Sequence, residues 1–540
     1  MLDFIRGVLE HRIEQIRNSE TTKTKETNTS KNDDVLIGSE EYLKILNSSF
    51  ELKFLYEKFY MNNKIPKRIK EMISEGKFEM NNLFKNYVIN SMEIQLDDIL
   101  ALAIAYFNLG RIYICKEINL DAAKYHLTRC IKLLKGKELH YKVILTAIQA
   151  RVDLNIVYIK LQQLEKCYPL LDEALELYLN YTKDENEYPD PFNIDALYHT
   201  KDEIINSKIL LTKCHMLTLE YMSELYYHQP INMHKFVIYV HNLLNEQLKI
   251  MENSTEKDMF IYWAEASTDL SAYFLYYDRF IEAKIHLAAA DYMTTMYYVS
   301  ILIDQDYSEA CESIGQYKLT RTFITKLWAM YGIMLLRSSR ERLILCKSNK
   351  SCEANNVESE SHPKSEEELM KPLTFVDLEK DLENIGNYYI TDTYVSNLKD
   401  VKIIFANVFT WLNVVYTFCI KGNQYFLGNQ FMSPVQTILY ISKAYTYYAY
   451  FEGNKSKQIK VIKQQTEMLD IYISALFSKY YTELGHDYYK ELYFEVAITY
   501  TTLLNMTSEL NEIEKIIDEM EIKQLVENII HNFNLFLNNV

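Results

Sequence analysis

Glycine and proline are scarce in this chain, with 12 and 8 in 540 residues. Hairpins, dinucleotide-binding turns and phosphate loops all need glycine where the backbone turns sharply or approaches a ligand. The scarcity therefore argues for helices joined by short polar loops. Metal-type cysteine spacing is absent too. The eight cysteines (Cys115, Cys130, Cys167, Cys214, Cys311, Cys346, Cys352 and Cys419) contain no Cys-x-x-Cys pair, and most fall on apolar helical faces. They read as reduced core thiols of a cytosolic protein, with no metal and no cofactor implied. No P-loop, HExxH, GxSxG or dinucleotide fingerprint occurs. Cys214 and His215 are adjacent, so a helix points them to different faces and they cannot pair directly. Glu366, Glu367 and Glu368 form a carboxylate cluster by composition alone and read as solvated charge. No enzyme is expected.

Positive charge is also in deficit. Lys and Arg total 58 against 74 Asp and Glu, a net charge of −16. Nucleic acid and anionic membranes are unfavourable partners, because both are held by cations that neutralise phosphates. A basic protein surface is favoured instead. The start, MLDFIRGVLEHRIEQIR, carries Asp3 and Arg6 and so is no signal peptide. Its apolar residues Leu2, Phe4, Ile5, Val8, Leu9, Ile13 and Ile16 describe an amphipathic helix. Ile403–Ile420 is an uncharged run of 18 residues, near the length of a membrane span. Asn407 and Asn413 interrupt it and Lys402 and Lys421 flank it symmetrically, so it reads as a buried helix of an all-α domain without membrane insertion.

What the chain has in quantity is hydrophobic residues, 48% of the total, and 45 tyrosines. The tyrosines spread over the whole chain alongside abundant Asn, Ile and Lys, a pattern of genome bias more than of interface enrichment. The periodicity is helical from Tyr42 to about Cys346 and again from Leu373 to Val540. Asn18–Glu40 is polar and reads as a flexible linker. Residues 353–385 hold ten acids and three lysines, a net of −7 at the second polar junction. The expected organisation is a helix plus linker over 1–40, a repeat array over 41–346, an acidic linker over 347–372, and a second helical half over 373–540. The final residues, FNLFLNNV, remain apolar where a repeat array normally ends in a polar-faced cap, which implies an array cut short.

Three units fit a tetratricopeptide pattern. Tyr106, Leu109, Gly110 and Tyr113 place Y-x-x-L-G-x-x-Y on one helix, and Ala122 opens the next. Leu270, Ser271 and Phe274 face Ala283, Leu287 and Ala290 across a turn. Small residues at these positions let paired helices approach closely. The third unit, Leu154, Asn155 and Tyr158 followed by Leu171 and Ala174, has Asn155 where a small residue belongs. Gly110 to Asn155 spans 155 − 110 = 45 positions, where a regular repeat gives roughly 34, so the array is irregular. In such arrays the first helix of each unit lines a groove. Its outward residues are Phe107, Arg111 and Ile114; Gln149, Val152, Ile156 and Lys160; and Glu265, Thr268, Ala272 and Tyr276. Thr218 and Met222 are the equivalents on an intervening unpatterned helix.

These segments resemble the KIF-binding protein (kinesin-binding protein) family. Three stretches carry the likeness. The first is AYFNLGRIY with AAKYHLTRCIKLLK and LDEALELYLNY. The second is YVHNLLNEQL with IYWAEASTDLSAYF and FIEAKIHLAAADYM. The third is ISKAYTYYAYFEGNKSKQIKVIKQQTEML with YYKELYFEVAITYTTLLNM. The resemblance covers roughly residues 85–540. It implies a right-handed all-α solenoid of divergent tetratricopeptide-like pairs in two halves. It also implies binding to the motor domains of a subset of kinesins at their microtubule-facing surface, with microtubules touched only indirectly. A cytoplasmic, cytoskeleton-associated protein acting in axonal and mitochondrial transport follows. The family's basic run after its aromatic F-E motif is reduced here to Lys455, Lys457, Lys460 and Lys463. The alternative is a general tetratricopeptide scaffold that clamps a terminal carboxylate with Lys, Arg and Asn, for which Arg111, Asn155 and Lys160 are the nearest candidates.

Overall fold

Most helices among the described residues pack against helices next to them in sequence. The computed structural model describes residues 1–23, 36–59, 67–90, 94–115, 119–183, 188–198, 206–228, 233–251, 258–303, 307–348, 372–383, 385, 390–421, 433–480, 489–514 and 519–538. Among these residues the ordered elements are helical, with no strand. Two compact units divide inside one helix: Leu2–Val240, and His241–Val540 with Met1. The expected halves, 41–346 and 373–540, have different bounds, and residues 349–371 of the acidic junction lie outside the described residues. So do Cys352 and the side chains of Cys115 and Cys311.

The first unit contains α1 (Leu2–Lys23), α2 (Glu40–Phe59), α3 (Lys67–Asn90), α4 (Leu96–Cys115), α5 (Leu120–Leu134), α6 (Ile144–Lys160), α7 (Cys167–Thr182), α8 (Ser207–His228) and the start of α9 (His234–Met251). Consecutive helices pack from α2 through α8. In addition α2 touches α4, α4 touches α6 and α6 touches α8. One layer is therefore α2, α4, α6 and α8, with α3, α5 and α7 behind it. The amphipathic α1 packs on α8, with Phe4, Ile5, Val8, Leu9 and Ile13 buried.

The α4–α5 pair shows what the repeat pattern does physically. A Cβ on Gly110 would stand 2.8 Å from Leu127 Cγ, so only glycine permits this approach. Asn119 caps α5 by accepting a hydrogen bond from the Ala122 amide at 2.9 Å. Ala122 stands in the first turn of α5, as expected, and the neighbouring Ala123 is the small residue buried against α4. In the α6–α7 pair Asn155 is fully buried and neither atom of its amide has a hydrogen-bond partner. Each unmet group costs about 1–3 kcal/mol, so this pair tolerates a local penalty.

The second unit contains α10 (Asp258–Tyr276), α11 (Phe280–Ile303), α12 (Tyr307–Ser348), α13 (Glu379–Leu382), α14 (Leu398–Lys421), α15 (Pro434–Phe451), α16 (Lys455–Tyr480), α17 (Lys490–Glu514) and α18 (Glu519–Asn538). Here too α10–α12 and α14–α18 pack in sequence order, α12 on α14, and α12 and α15 meet across the layer. The α10–α11 stripe is as expected: Leu270, Ser271, Phe274, Ala283, Leu287 and Ala290 are all fully buried. Ser267 Oγ donates to the His286 carbonyl at 2.9 Å and ties the two helices. The turn between them puts Asp278 at φ 55°, a left-handed conformation that Asp tolerates. Buried His241 and His286 contact each other at 3.1 Å beside Phe375. Burial pushes His241 down to about 4 and His286 well below the usual range, so both stay neutral.

Asp291, almost fully buried, accepts from the Trp328 indole at 2.8 Å and pairs with Arg321, which fastens α11 to α12. Ser433 caps α15 ahead of Pro434 in its first turn, as the sequence indicates. The helix α14 is long and apolar enough to cross a membrane. One face buries Val401, Ile404, Val408, Leu412 and Val415 against α12 and α15, while Lys402, Ile403, Thr410, Val414, Thr417 and Lys421 are exposed, so the expected buried helix is buried on one face only.

The α12–α14 crossing depends on Gly332, where a Cβ would collide with Val408 Cγ2. Gly315, exposed on the same helix, has nothing within 4 Å of its Cβ position. Gly332→Ala should destabilise by about 1–3 kcal/mol through overpacking. Gly315→Ala should stabilise by about 0.5–1 kcal/mol through helix propensity. Thermal melts of the two variants check this, and shifts of the same sign would contradict it.

Candidate partner-binding face

The layer α4, α6 and α8 encloses a concavity in the first unit. From Ile99 to Leu109 every residue of α4 is buried, so this helix is held on all sides. Its last turns then offer Phe107 and Arg111 to the open face. Across from them α6 contributes Gln149, Val152 and Asp153, and α8 contributes Leu210, Lys213, Cys214 and Leu217. Together they line a cavity of about 210 Å³. Four of the residues read from the sequence, Phe107, Arg111, Gln149 and Val152, thus meet at one place.

The walls are apolar and the polar groups are few. Phe107 and Val152 are buried core residues that form its floor, while Leu217 is 44% exposed at the rim. The Arg111 guanidinium lies 5.6 Å from the Phe107 ring centre and 3.5 Å from Asp153 Oδ2. That oxygen is buried without a hydrogen bond. Burial raises the Asp153 carboxyl to about 6, against the opposing pull of Arg111. Gln149 Nε2 donates to Cys214 Sγ at 3.2 Å. Burial pushes the Cys214 thiol up to about 11, so it stays protonated and is no nucleophile at neutral pH. His215 turns the other way, stacks 3.6 Å from the Tyr178 ring and bonds Tyr239 at 2.8 Å, as adjacency on a helix requires. This arrangement can receive an apolar or amphipathic side chain.

Other candidates lie elsewhere. Ile114 and Ile156 are half-buried and Lys160 is exposed at the end of α6. Thr218 and Met222 are corrections: both are buried, and Thr218 Oγ1 donates to the Cys214 carbonyl at 2.9 Å. The open face of α8 is instead Leu210, Lys213, Cys214 and Leu217, an i, i+3, i+4, i+7 series legible in the sequence once that register is chosen. Glu265, Thr268, Ala272 and Tyr276 belong to α10 in the other unit. Thr268 is fully buried and bonds the Ala264 carbonyl at 2.6 Å, a second correction. Glu265 accepts from Thr320 at 2.8 Å, Ala272 is half-buried, and Tyr276 is 48% exposed. No group of three or more His, Cys, Asp or Glu among the described residues could hold a metal ion.

The family described as KIF-1 binding protein C terminal matches residues 261–540, just over half of the chain. The chain belongs to this family. Relatives named KIF-binding protein extend the likeness toward the N-terminus. The Drosophila melanogaster protein is 25% identical over 396 residues, 71% of this chain and 61% of that protein. The Gallus gallus protein is 22% identical over 78% of this chain and 70% of its own length. The Homo sapiens protein is 23% identical over 74% and 64% respectively. This family member therefore spans 61% of the length of its Drosophila relative. Among solved structures, a circular tandem repeat protein aligns over 92% of the chain at 9% identity and a TM-score of 0.23, too weak a likeness to argue from.

Asp153, half-buried with its Oδ2 enclosed, gives this face a measurable signature. Its carboxyl is ionised in the fold only above about 6. Between the ordinary carboxylate range and that value the native state holds the extra proton, so its stability falls as pH rises through this window. Asp153→Asn should therefore unfold at higher denaturant than the parent at about pH 7.5, by about 1–3 kcal/mol, with the gain vanishing near pH 4. A variant less stable at both pH values would mean that the Arg111 pair outweighs the burial.

Proposed function

We propose that this chain is a non-enzymatic binding protein that engages the motor domains of a subset of kinesins through the α4–α6–α8 face. Membership of a family whose curated members are named for binding KIF carries this reading. The engaged motor surface would be the one that meets the microtubule, so the motor is held off its track and microtubules are touched only indirectly. Two physical features support it. A net charge of −16 complements the basic face that a motor needs toward an acidic filament. The cavity between Phe107 and Leu217 offers an apolar seat for one anchoring side chain of a partner helix, the kind of contact that sets residence time. A cytoplasmic, cytoskeleton-associated protein that tunes axonal and mitochondrial transport follows from that activity.

A carboxylate clamp of the general tetratricopeptide kind has less support. Asn155 is fully buried, and Arg111 already faces Asp153. The test is titration of purified kinesin motor domains against the full chain and against Leu217→Asp and Phe107→Ala. At least one motor should form a one-to-one complex, weakened about tenfold or more by either change. Roughly 0.5 M salt should slow association more than it speeds dissociation. Failure of every motor to bind, or binding unchanged in both variants, would overturn the proposal.

A further inference from the structure

Against the acidic average of the chain, one cleft on the opposite layer of the first unit is basic and aromatic. It lies between α3 and α5, is about 520 Å³ in volume, and is lined by Phe84, Lys124, Tyr125, Arg129 and Lys132, with Asp121 at one end. On α3 itself Lys77 lies 4.6 Å from the Tyr113 ring centre and Lys85 is exposed. None of these five cations forms an ion pair with an acid among the described residues. The acids nearby on α3 are otherwise engaged, Glu71 with Lys67 and Glu79 with Lys44, apart from Glu75.

Arg129 is the organised part of this cleft. Its guanidinium stands 4.1 Å from the Phe84 ring centre and 4.3 Å from that of Tyr125, so two aromatic faces hold its plane. Its Nη1 donates to Asn81 Oδ1 at 2.7 Å and to the Tyr106 hydroxyl at 2.9 Å. The Tyr125 hydroxyl donates to the same Asn81 oxygen at 3.0 Å. Nε and Nη2 meet no acceptor among the described residues. A guanidinium fixed by stacking, with its remaining donors unused, loses little entropy on meeting a carboxylate and can bind it in the two-point geometry that lysine lacks. Lys132 lies 5.8 Å from the same Phe84 ring centre.

We propose that this α3–α5 cleft is a second interaction surface, separate from the α4–α6–α8 face, and that its partner is an acidic peptide segment. One carboxylate sits on Arg129, neighbouring ones meet Lys124 and Lys132, and an aromatic or apolar side chain lies against Phe84 and Tyr125. A polyphosphate partner fits less well. A chain of net charge −16 repels a dense polyanion at long range, whereas a short peptide brings only the few charges the cleft can neutralise.

The test is fluorescence anisotropy of a labelled Glu-rich peptide containing one tyrosine, titrated with the full chain. The control is the same peptide with Gln in place of Glu. The Glu peptide should bind and the Gln peptide should not, and roughly 0.5 M salt should abolish binding. Lys124→Glu with Lys132→Glu, both at the rim, should weaken binding about tenfold or more while circular dichroism stays unchanged. Arg129→Lys keeps the charge and removes the fork, and should weaken it several-fold. Lys183→Glu, an exposed change elsewhere in the unit, should leave it intact. Equal binding of the Glu and Gln peptides, or an unaffected double variant, would overturn the proposal. So would tighter binding of an RNA oligonucleotide or of anionic vesicles than of the Glu peptide.

Discussion

Everything in this chain depends on how closely consecutive helices approach. Gly110 against Leu127, Gly332 against Val408, and the Ser271 and Ala283 stripe are the points where a larger residue would force neighbours apart. Helix propensity alone does not hold long α-helices together in water; the buried stripe between neighbours does. Close approach also fixes the rotation of each helix about its own axis. In the first unit that rotation decides which residues of α4, α6 and α8 remain on the open face. Were α4 set further from α5, Phe107 and Arg111 would no longer meet Val152 and Leu217. The cavity is therefore a consequence of core packing more than of any residue chosen for binding.

That dependence also explains what was legible in the sequence. The all-α class was plain from scarce glycine and helical periodicity, and the two best repeat units gave the correct stripes. Phe107, Arg111, Gln149 and Val152 line one cavity because Gly110 and Leu154 set the register of α4 and α6, although Phe107 and Val152 are buried in its floor and not outward-facing. The unpatterned α8 had no such marker. Reading Thr218 and Met222 as its open face was wrong by about one residue step of helix rotation, 100° at 3.6 residues per turn. Thr268 failed for a different reason. A threonine can satisfy its own hydroxyl on the preceding turn, here the Ala264 carbonyl, and so be buried at little cost. Asp153 and Lys213 carried no signal at all, since a charge on a helix looks the same in sequence whether it faces solvent or a cavity.

Charge acts at two scales in this protein. The net of −16 governs encounter with distant partners and falls off with salt. Locally the groups are sorted by what faces them. Arg151 is tied to Glu138 and Glu173, and Lys142 to Asp97, so these cations serve the fold. Arg111 is opposed by a carboxylate that burial keeps weakly acidic, which leaves the floor of the α4–α6–α8 cavity adaptable. Arg129 is held by rings and neutral oxygens and keeps its charge outward. Two faces of one unit thus differ in chemistry: one mainly apolar, one basic and aromatic.

On the proposed function, binding of this chain removes a motor from its track. Microtubule co-sedimentation of a panel of purified kinesin motor domains, with and without the full chain, tests it most directly. Some motors should move from the pellet into the supernatant in proportion to added protein, while others stay pelleted. Motors that all remain with the microtubules, or the chain itself pelleting together with the motor, would contradict it.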